Sequence, residues 1–353
     1  MTSNRPRRFL IASFTVALAL VSQNGSGFDL SRSVVAGGGG SSTDGANLML
    51  DATVGQAAAG PTLSSGQFSI QVGFWFTAIP GLVANVSTRL PVGRDDNVLI
   101  EGFIVQGPAG STKKIIVRAI GPSLVAFGIT DALPNPTLEI HDANNGNAIV
   151  ATNDNWRTTQ VGGLIIGDQS AEISASGLAP GDDLESAIIA NLTPGSYTAV
   201  VRGVGNTTGT GVVDAYDISA ASPARLANIA TRGLVQAGDK LMIAGFIVQN
   251  GPVRAVIRAI GPSLSAFGIT NALADPTLQL RDQNGAIVLE NDNWKTRPDG
   301  SSQQQEIENT GLQPTNDLES ALVATIPPGQ YTAQVRGNNQ ATGIGVVQVY
   351  FLQ

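Results

Sequence analysis

Twice along this chain an Asn-Asp-Asn-Trp run is followed, further on, by Asp-Leu-Glu-Ser. The first copy is Asn153–Asp154–Asn155–Trp156 with Asp183–Leu184–Glu185–Ser186, and the second is Asn291–Asp292–Asn293–Trp294 with Asp317–Leu318–Glu319–Ser320. Carboxylate and amide oxygens are what a hard cation takes. Asp154, Asp183 and Glu185, with Asp292, Asp317 and Glu319, are therefore the candidate calcium ligands. Their spacing fits no EF-hand. Turn chemistry is the competing and favoured reading, because Asn and Asp hydrogen-bond their own backbone at bends. Trp156 and Trp294 follow these runs directly and are the candidate ligand-binding residues, as platforms for sugar stacking. Against that, aromatic residues are only 5% of the chain, too few for an extended sugar-binding face. A plug at one end of a sandwich, with its N–H bonded, is the favoured role.

Other chemistry is harder to assemble. The chain has no cysteine, which removes disulfides, thiolate metal sites and Cys nucleophiles together. Its single histidine, His141, is replaced by Arg281 in the second copy. A Ser-His-acid triad or a His-based zinc site has little to build on, and His141 reads as a solvated surface residue. No Gly-x-Ser-x-Gly elbow is present. Gly37–Gly40 lacks the Gly-Lys-Ser/Thr ending of a phosphate cradle and reads as a loop. Glycosidases need only two carboxylates, and pairs recur at Asp142/Asp282, Asp154/Asp292, Glu172/Glu306, Asp183/Asp317 and Glu185/Glu319. Two equal active sites in one short chain would be unusual, whereas duplication raises avidity. The chain is read as a non-enzyme. Arg118/Arg258 and Arg202/Arg336 lie in alternating stretches and are expected to pair with Glu185/Glu319 or Asp183/Asp317.

These residues sit on a duplicated unit. IIVRAIGPSLVAFGITDALPNPTLEI (115–140) returns as AVIRAIGPSLSAFGITNALADPTLQL (255–280). Length differences between the copies concentrate in TTQVGGLIIGDQS of the first, which marks a surface loop. Each copy reads as strands. VLIEGFIVQ and LMIAGFIVQ are apolar runs of the kind buried on both faces. Asn145–Gly146 and Asn284–Gly285 turn a hairpin in each copy. LESAIIANLTPGSYTAVVRG and LESALVATIPPGQYTAQVRG read as a second strand pair turned by Pro-Gly, and Gly-Pro-Ser after IRAI reads as a strand-ending turn. Helical periodicity is nearly absent. The expectation is an all-β fold: two tandem jelly-roll-like β-sandwich modules behind a small β-rich N-terminal unit.

Composition agrees. Of 353 residues 42% are hydrophobic and only 13% charged, and there are 42 glycines. Such a chain can bury a core and turn often. A net charge of −7 disfavours nucleic acid. At the start, Arg5, Arg7 and Arg8 precede the apolar run Phe9–Val21, the pattern of a secretory signal and too short for a membrane span. The expected organisation is a signal peptide over 1–25, a glycine-rich β unit over 26–79, module 1 over 80–221 and module 2 over 222–353. Trp75 and its neighbours are expected to dock the N-terminal unit on module 1.

Two resemblances add to this. The half-module PTLxLxDxNGxxxxxNDNW…DLESAxxxxxPPGxYTxxVRG…TGxGxVxxY, matched by 136–216 and 276–350, resembles the bacterial pre-peptidase C-terminal type of module. With IRAIGPSLxAFGIT, the full unit is similar to tandem modules appended to large secreted proteins of environmental bacteria, over most of 82–353. That implies a jelly-roll-like sandwich of accessory character, used in secretion, surface attachment or substrate binding, in a type some of whose members bind calcium. GGGGSS…ATVGQ…SSGQFSIQVGFW resembles a glycine-rich segment of secreted bacterial surface proteins and implies export. The function expected is a non-catalytic, secreted or cell-surface binding or adhesion protein, bivalent by duplication, with an extracellular glycan or surface protein as partner. The alternatives are a self-assembling subunit of a surface layer or filament, joined through exposed edge strands, and a secreted glycan-active hydrolase.

Overall fold

The computed structural model describes residues 81–353 apart from 96, 220, 221, 239 and 353, together with four short N-terminal strands. Those strands form two hairpins, β1 (Gly40–Thr43) with β2 (Met49–Ala52) and β3 (Leu63–Ser65) with β4 (Phe68–Ile70). The signal segment and Trp75 lie outside the described residues. Residues 78–353 form a compact unit of their own.

Sixteen strands of that unit make two antiparallel eight-stranded sheets. The first repeat supplies β5 (Leu82–Val92), β6 (Leu99–Gln106), β7 (Lys113–Ile120), β8 (Pro136–Asp142), β9 (Ala148–Asn153), β10 (Ser186–Leu192), β11 (Gly195–Gly203) and β12 (Gly209–Asp217). The second supplies β13 (Arg225–Val235), β14 (Met242–Gln249), β15 (Val253–Ile260), β16 (Pro276–Asp282), β17 (Ile287–Asn291), β18 (Ser320–Ile326), β19 (Gly329–Gly337) and β20 (Gly343–Leu352). One sheet runs β10-β7-β12-β5-β14-β19-β16-β17 and the other β18-β15-β20-β13-β6-β11-β8-β9. Each repeat is thus a sandwich of two four-stranded halves, as duplication of an alternating β pattern requires. Two short helices, α1 (Ser170–Ala175) and α2 (Gln304–Glu308), lie in the corresponding loops of the two repeats.

The repeats are not separate bodies. β5 of the first pairs with β14 of the second, and β13 of the second with β6 of the first, so both sheets run unbroken across the repeat boundary at 221/222. One apolar cluster spans both halves, from Val83 and Phe103 to Phe246 and Phe351. The tandem sandwiches expected from the sequence are therefore fused edge to edge. The reason is physical: β5, β6, β13 and β14 would each leave a row of backbone groups unpaired, and fusion pairs all four.

Where the repeats meet, β5 and β13 face each other. The hydroxyls of Thr88 and Thr231 hydrogen-bond across the join. A side chain on Gly233 would strike Leu90 Cδ1 at 2.5 Å. Thr231 and Gly233 are the repeat equivalents of Thr88 and Leu90, so the two strands run parallel and in step. Exchanging the repeats also exchanges the sheets. The operation that does both is a half-turn about an axis along the strands, and it leaves equivalent loops at the same end of the molecule.

Two strand readings are corrected. β6 has the burial pattern of a strand with one face inside; Ile100, Gly102 and Ile104 are half-exposed, because only one face meets the opposing sheet. β10 and β11 do not pair. β10 is an edge of one sheet and β11 lies inside the other, so the Pro-Gly turn carries the chain across the sandwich. The β8–β9 hairpin forms as read, with Gly146 left-handed at φ 60°.

Candidate functional site

The end of the sandwich where β5, β7, β13 and β15 finish carries the chemistry-bearing motifs of both repeats. β7 ends in Gly121, where a Cβ would fall 2.1 Å from Leu133 O, so glycine alone fits. Pro122–Phe127 then forms a 3-10 turn, started by proline at its first position and closed by Gly128 at φ 84°. Gly261, Pro262–Phe267 and Gly268 repeat this after β15.

Glu185 holds the turn in place. It is fully buried, and its Oε1 accepts from Gly121 N at 2.9 Å, Ser123 N at 3.0 Å and Ser123 Oγ at 2.6 Å. Its Oε2 accepts from Asp182 N at 3.2 Å. Glu319 does the same for Gly261 N, Ser263 N, Ser263 Oγ and Asn316 N. A carboxylate with four donors is a clamp whose lone pairs are spent. The partnership between Asp-Leu-Glu-Ser and Gly-Pro-Ser was not anticipated; the signal available was that both motifs survive unchanged in both repeats.

The six candidate calcium ligands are not brought together into one cluster in either repeat. Glu185 and Glu319 are committed to the turns. Asp183 pairs with Arg157 and Asp317 with Lys295, 2.7 Å in the second case, all on the surface. Among the described residues no three His, Cys, Asp or Glu side chains gather to hold a metal. Asp154 has different neighbours. Its Oδ1, with Asn135 Oδ1 and Asn155 Oδ1, is buried without a donor, and Asp275 Oδ1 stands likewise in the second repeat. Burial, reinforced by the charge of Asp275, pushes the Asp292 carboxyl above its ordinary value.

The tryptophans are interior. Trp156 is 3% exposed and packs with Ile116, Ile173 and Ile189; its Nε1 donates to Asp182 O at 3.1 Å. Trp294 is 4% exposed and packs with Ile307 and Ala321. Arg157 lies over the Trp156 ring at 4.2 Å and Lys295 over that of Trp294 at 5.4 Å. A sugar platform needs an open ring face, so the ligand-binding role read for both does not hold. The arginines are corrected too. Arg118 forks onto Asp214 at 2.8 and 2.7 Å, and Arg258 onto Gln348, while Arg202 reaches Asp95 O and Arg336 reaches Gln334. His141 is held between Glu139 at 2.9 Å and Asn147 O at 3.2 Å rather than standing free in solvent.

Beside these surface ion pairs, the same end exposes large apolar side chains. Phe127 is 81% and Phe267 82% exposed, far from the usual state of that residue. Val125, Leu184 and Leu318 are exposed beside the same motifs. From Gly121 to Thr130 and from Gly261 to Thr270 there is no charged residue. The sequence reading passed over both phenylalanines, since an apolar residue in a strand-rich chain reads as core.

No protein-family model matches the chain, and no curated protein matches it. Among solved structures, it is similar at a TM-score of 0.21 and 8% identity to a DUF4785 family protein from Legionella pneumophila, over 77% of this chain and 84% of that one.

Proposed function

We propose that this protein is a non-catalytic, extracellular binding or adhesion protein that meets its target with one end of the fused sandwich. The observation that carries the proposal is the pair of equivalent, uncharged turns, differing only at Val125/Ser265, whose Phe127 and Phe267 stand in solvent at that same end. Each turn is fixed by a buried glutamate, so the aromatic is presented rather than free to fold away. Rigid presentation lowers the ordering cost of binding. Two equivalent contacts on one rigid body bind a repetitive surface with avidity. Export rests on the basic start and apolar run of residues 5–21.

The test uses the full chain on a glycan array and on intact bacterial cells. The double variant Phe127→Ser/Phe267→Ser is expected to lose at least about 100-fold in surface affinity, and each single variant about tenfold. Melting temperatures should not change. Retained binding in the double variant, or no binding to any array glycan or cell, would contradict the proposal. For calcium, Asp154 and Asp292, the second of them near Asp275, are the residues to test. A calcium-dependent rise in melting temperature that is lost in Asp154→Ala/Asp292→Ala supports a site there. Equal melting in calcium and in chelator ends that idea.

A further inference from the structure

Fusing the repeats uses one edge of every four-stranded half-sheet and leaves four outer edges: β10 and β9 at the first repeat's end, β18 and β17 at the second's. The first repeat's end is covered. Along β10, Ala187 N donates to Asn153 Oδ1 at 3.0 Å, and the Gln169 amide takes Ile189 N and O at 3.0 and 2.6 Å. Along β9, the loop folds back so that Leu164 N donates to Val150 O at 2.7 Å, with Ile165 buried. Covering an edge in these ways stops it from recruiting another strand.

The second repeat's end is built differently. Asn291 Oδ1 accepts from Ala321 N at 3.0 Å and Gln303 Nε2 donates to Ala321 O at 3.0 Å, so β18 keeps part of its cover. The loop that covers β9 has no counterpart. It runs thirteen positions from Trp156 to Gln169 but only nine from Trp294 to Gln303. Buried Ala151 is matched here by the larger Leu289, which packs on the core itself. The interior is thus closed without a folded-back loop, and the backbone of β17 is left bare. Among the described residues, no loop backbone bonds to its outer edge. Ile287 and Val288 on it are 46% and 47% exposed.

We propose that β17 is the docking edge for a second copy of this chain, the two β17 strands pairing antiparallel about a two-fold axis. The molecule already joins two such sandwiches by antiparallel edge pairing, since β5–β14 and β6–β13 are edge pairs between one repeat and the other, each between non-equivalent strands. A second copy offers the same uncovered strand, and a two-fold contact needs only self-complementarity. The one charged residue of β17 is Glu290, and antiparallel pairing centred on Leu289 sets it opposite the partner's Val288 and not opposite its own counterpart. With both edges covered at the first repeat's end, association closes at two copies and does not run on into a filament.

Sedimentation velocity of the full chain across the micromolar range tests this. The expected result is a monomer–dimer equilibrium with no larger species. Val288→Glu, which sets a second acidic group opposite Glu290 of the other copy, should weaken dimerisation at least about tenfold with unchanged melting. Replacing Arg297–Ser302 by the first repeat's residues 159–168 should do the same by covering the edge. A monomer at every concentration, a ladder of larger species, or dimers as strong in both variants as in the parent would each overturn the proposal. A monomer that binds an extended peptide along β17 would also overturn it, assigning the edge to a different partner.

Discussion

At the scale of single residues, buried carboxylates do most of the specifying. Glu185→Ala would leave Gly121 N, Ser123 N, Ser123 Oγ and Asp182 N without their acceptor. Losing several charge-assisted bonds inside the protein costs about 3 kcal/mol or more, read as a shift in urea midpoint at constant slope. Glu185→Gln keeps an acceptor oxygen and should lose less. Glu101 behaves in the opposite way. It is fully buried on β6 beside Thr231, and neither carboxyl oxygen has a hydrogen-bond partner. Burial pushes its pKa well above the ordinary value of 4.5; the nearby hydroxyl of Thr88, already bonded to that of Thr231, offsets this only in part. The folded chain therefore holds a proton that the unfolded chain gives up. Glu101's contribution to stability is complete below the unfolded value and is lost as pH rises towards the folded one. The loss is about 1.4 kcal/mol per pH unit across that window. Unfolding followed from pH 5 to 8 should show this fall in the parent and not in Glu101→Gln; parallel curves would refute it. The residue types were legible in the sequence, but their partners were not. Glu185 and Glu101 are both glutamates in strand-rich stretches, and only packing decides that one is saturated with donors and the other neutral and alone.

At the scale of elements, the period of the sequence predicted strands well and pairing less well. The Asn-Gly hairpins were legible because a left-handed turn residue joins strands that are neighbours in the chain. The Pro-Gly link between β10 and β11 resembles a hairpin locally but spans the two sheets, and nothing local separates these cases. The tryptophans show the same limit, since Asn-Asp-Asn is a loop signal and the next residue returns to the interior. Trp156→Ala removes a buried ring whose Nε1 is bonded to Asp182 O and should cost about 3–5 kcal/mol. Wild-type stability in that variant would mean that the ring is not packed as described.

At the scale of the whole molecule, the repeat was legible from spacing alone, and its fusion was not. A repeat boundary looks like a domain boundary until strand neighbours are known. Residues 80–221 produced alone would expose β5 and β6 along their full lengths, so this fragment is expected to aggregate or pair with itself at concentrations where the full chain does neither beyond its dimer. A well-behaved monomeric fragment would show that the edges are not joined. The most direct test of the account uses the absence of cysteine. Arg89 on β5 and Ile243 on β14 are register partners across the repeat junction. Introduced as Arg89→Cys/Ile243→Cys, they are the only thiols in the chain and lie within reach of a disulfide. The account predicts that mild oxidation closes this bond within one molecule, consuming both thiols. Two thiols that stay free, or that link only between molecules, would contradict the fused sandwich and the shared binding end built on it.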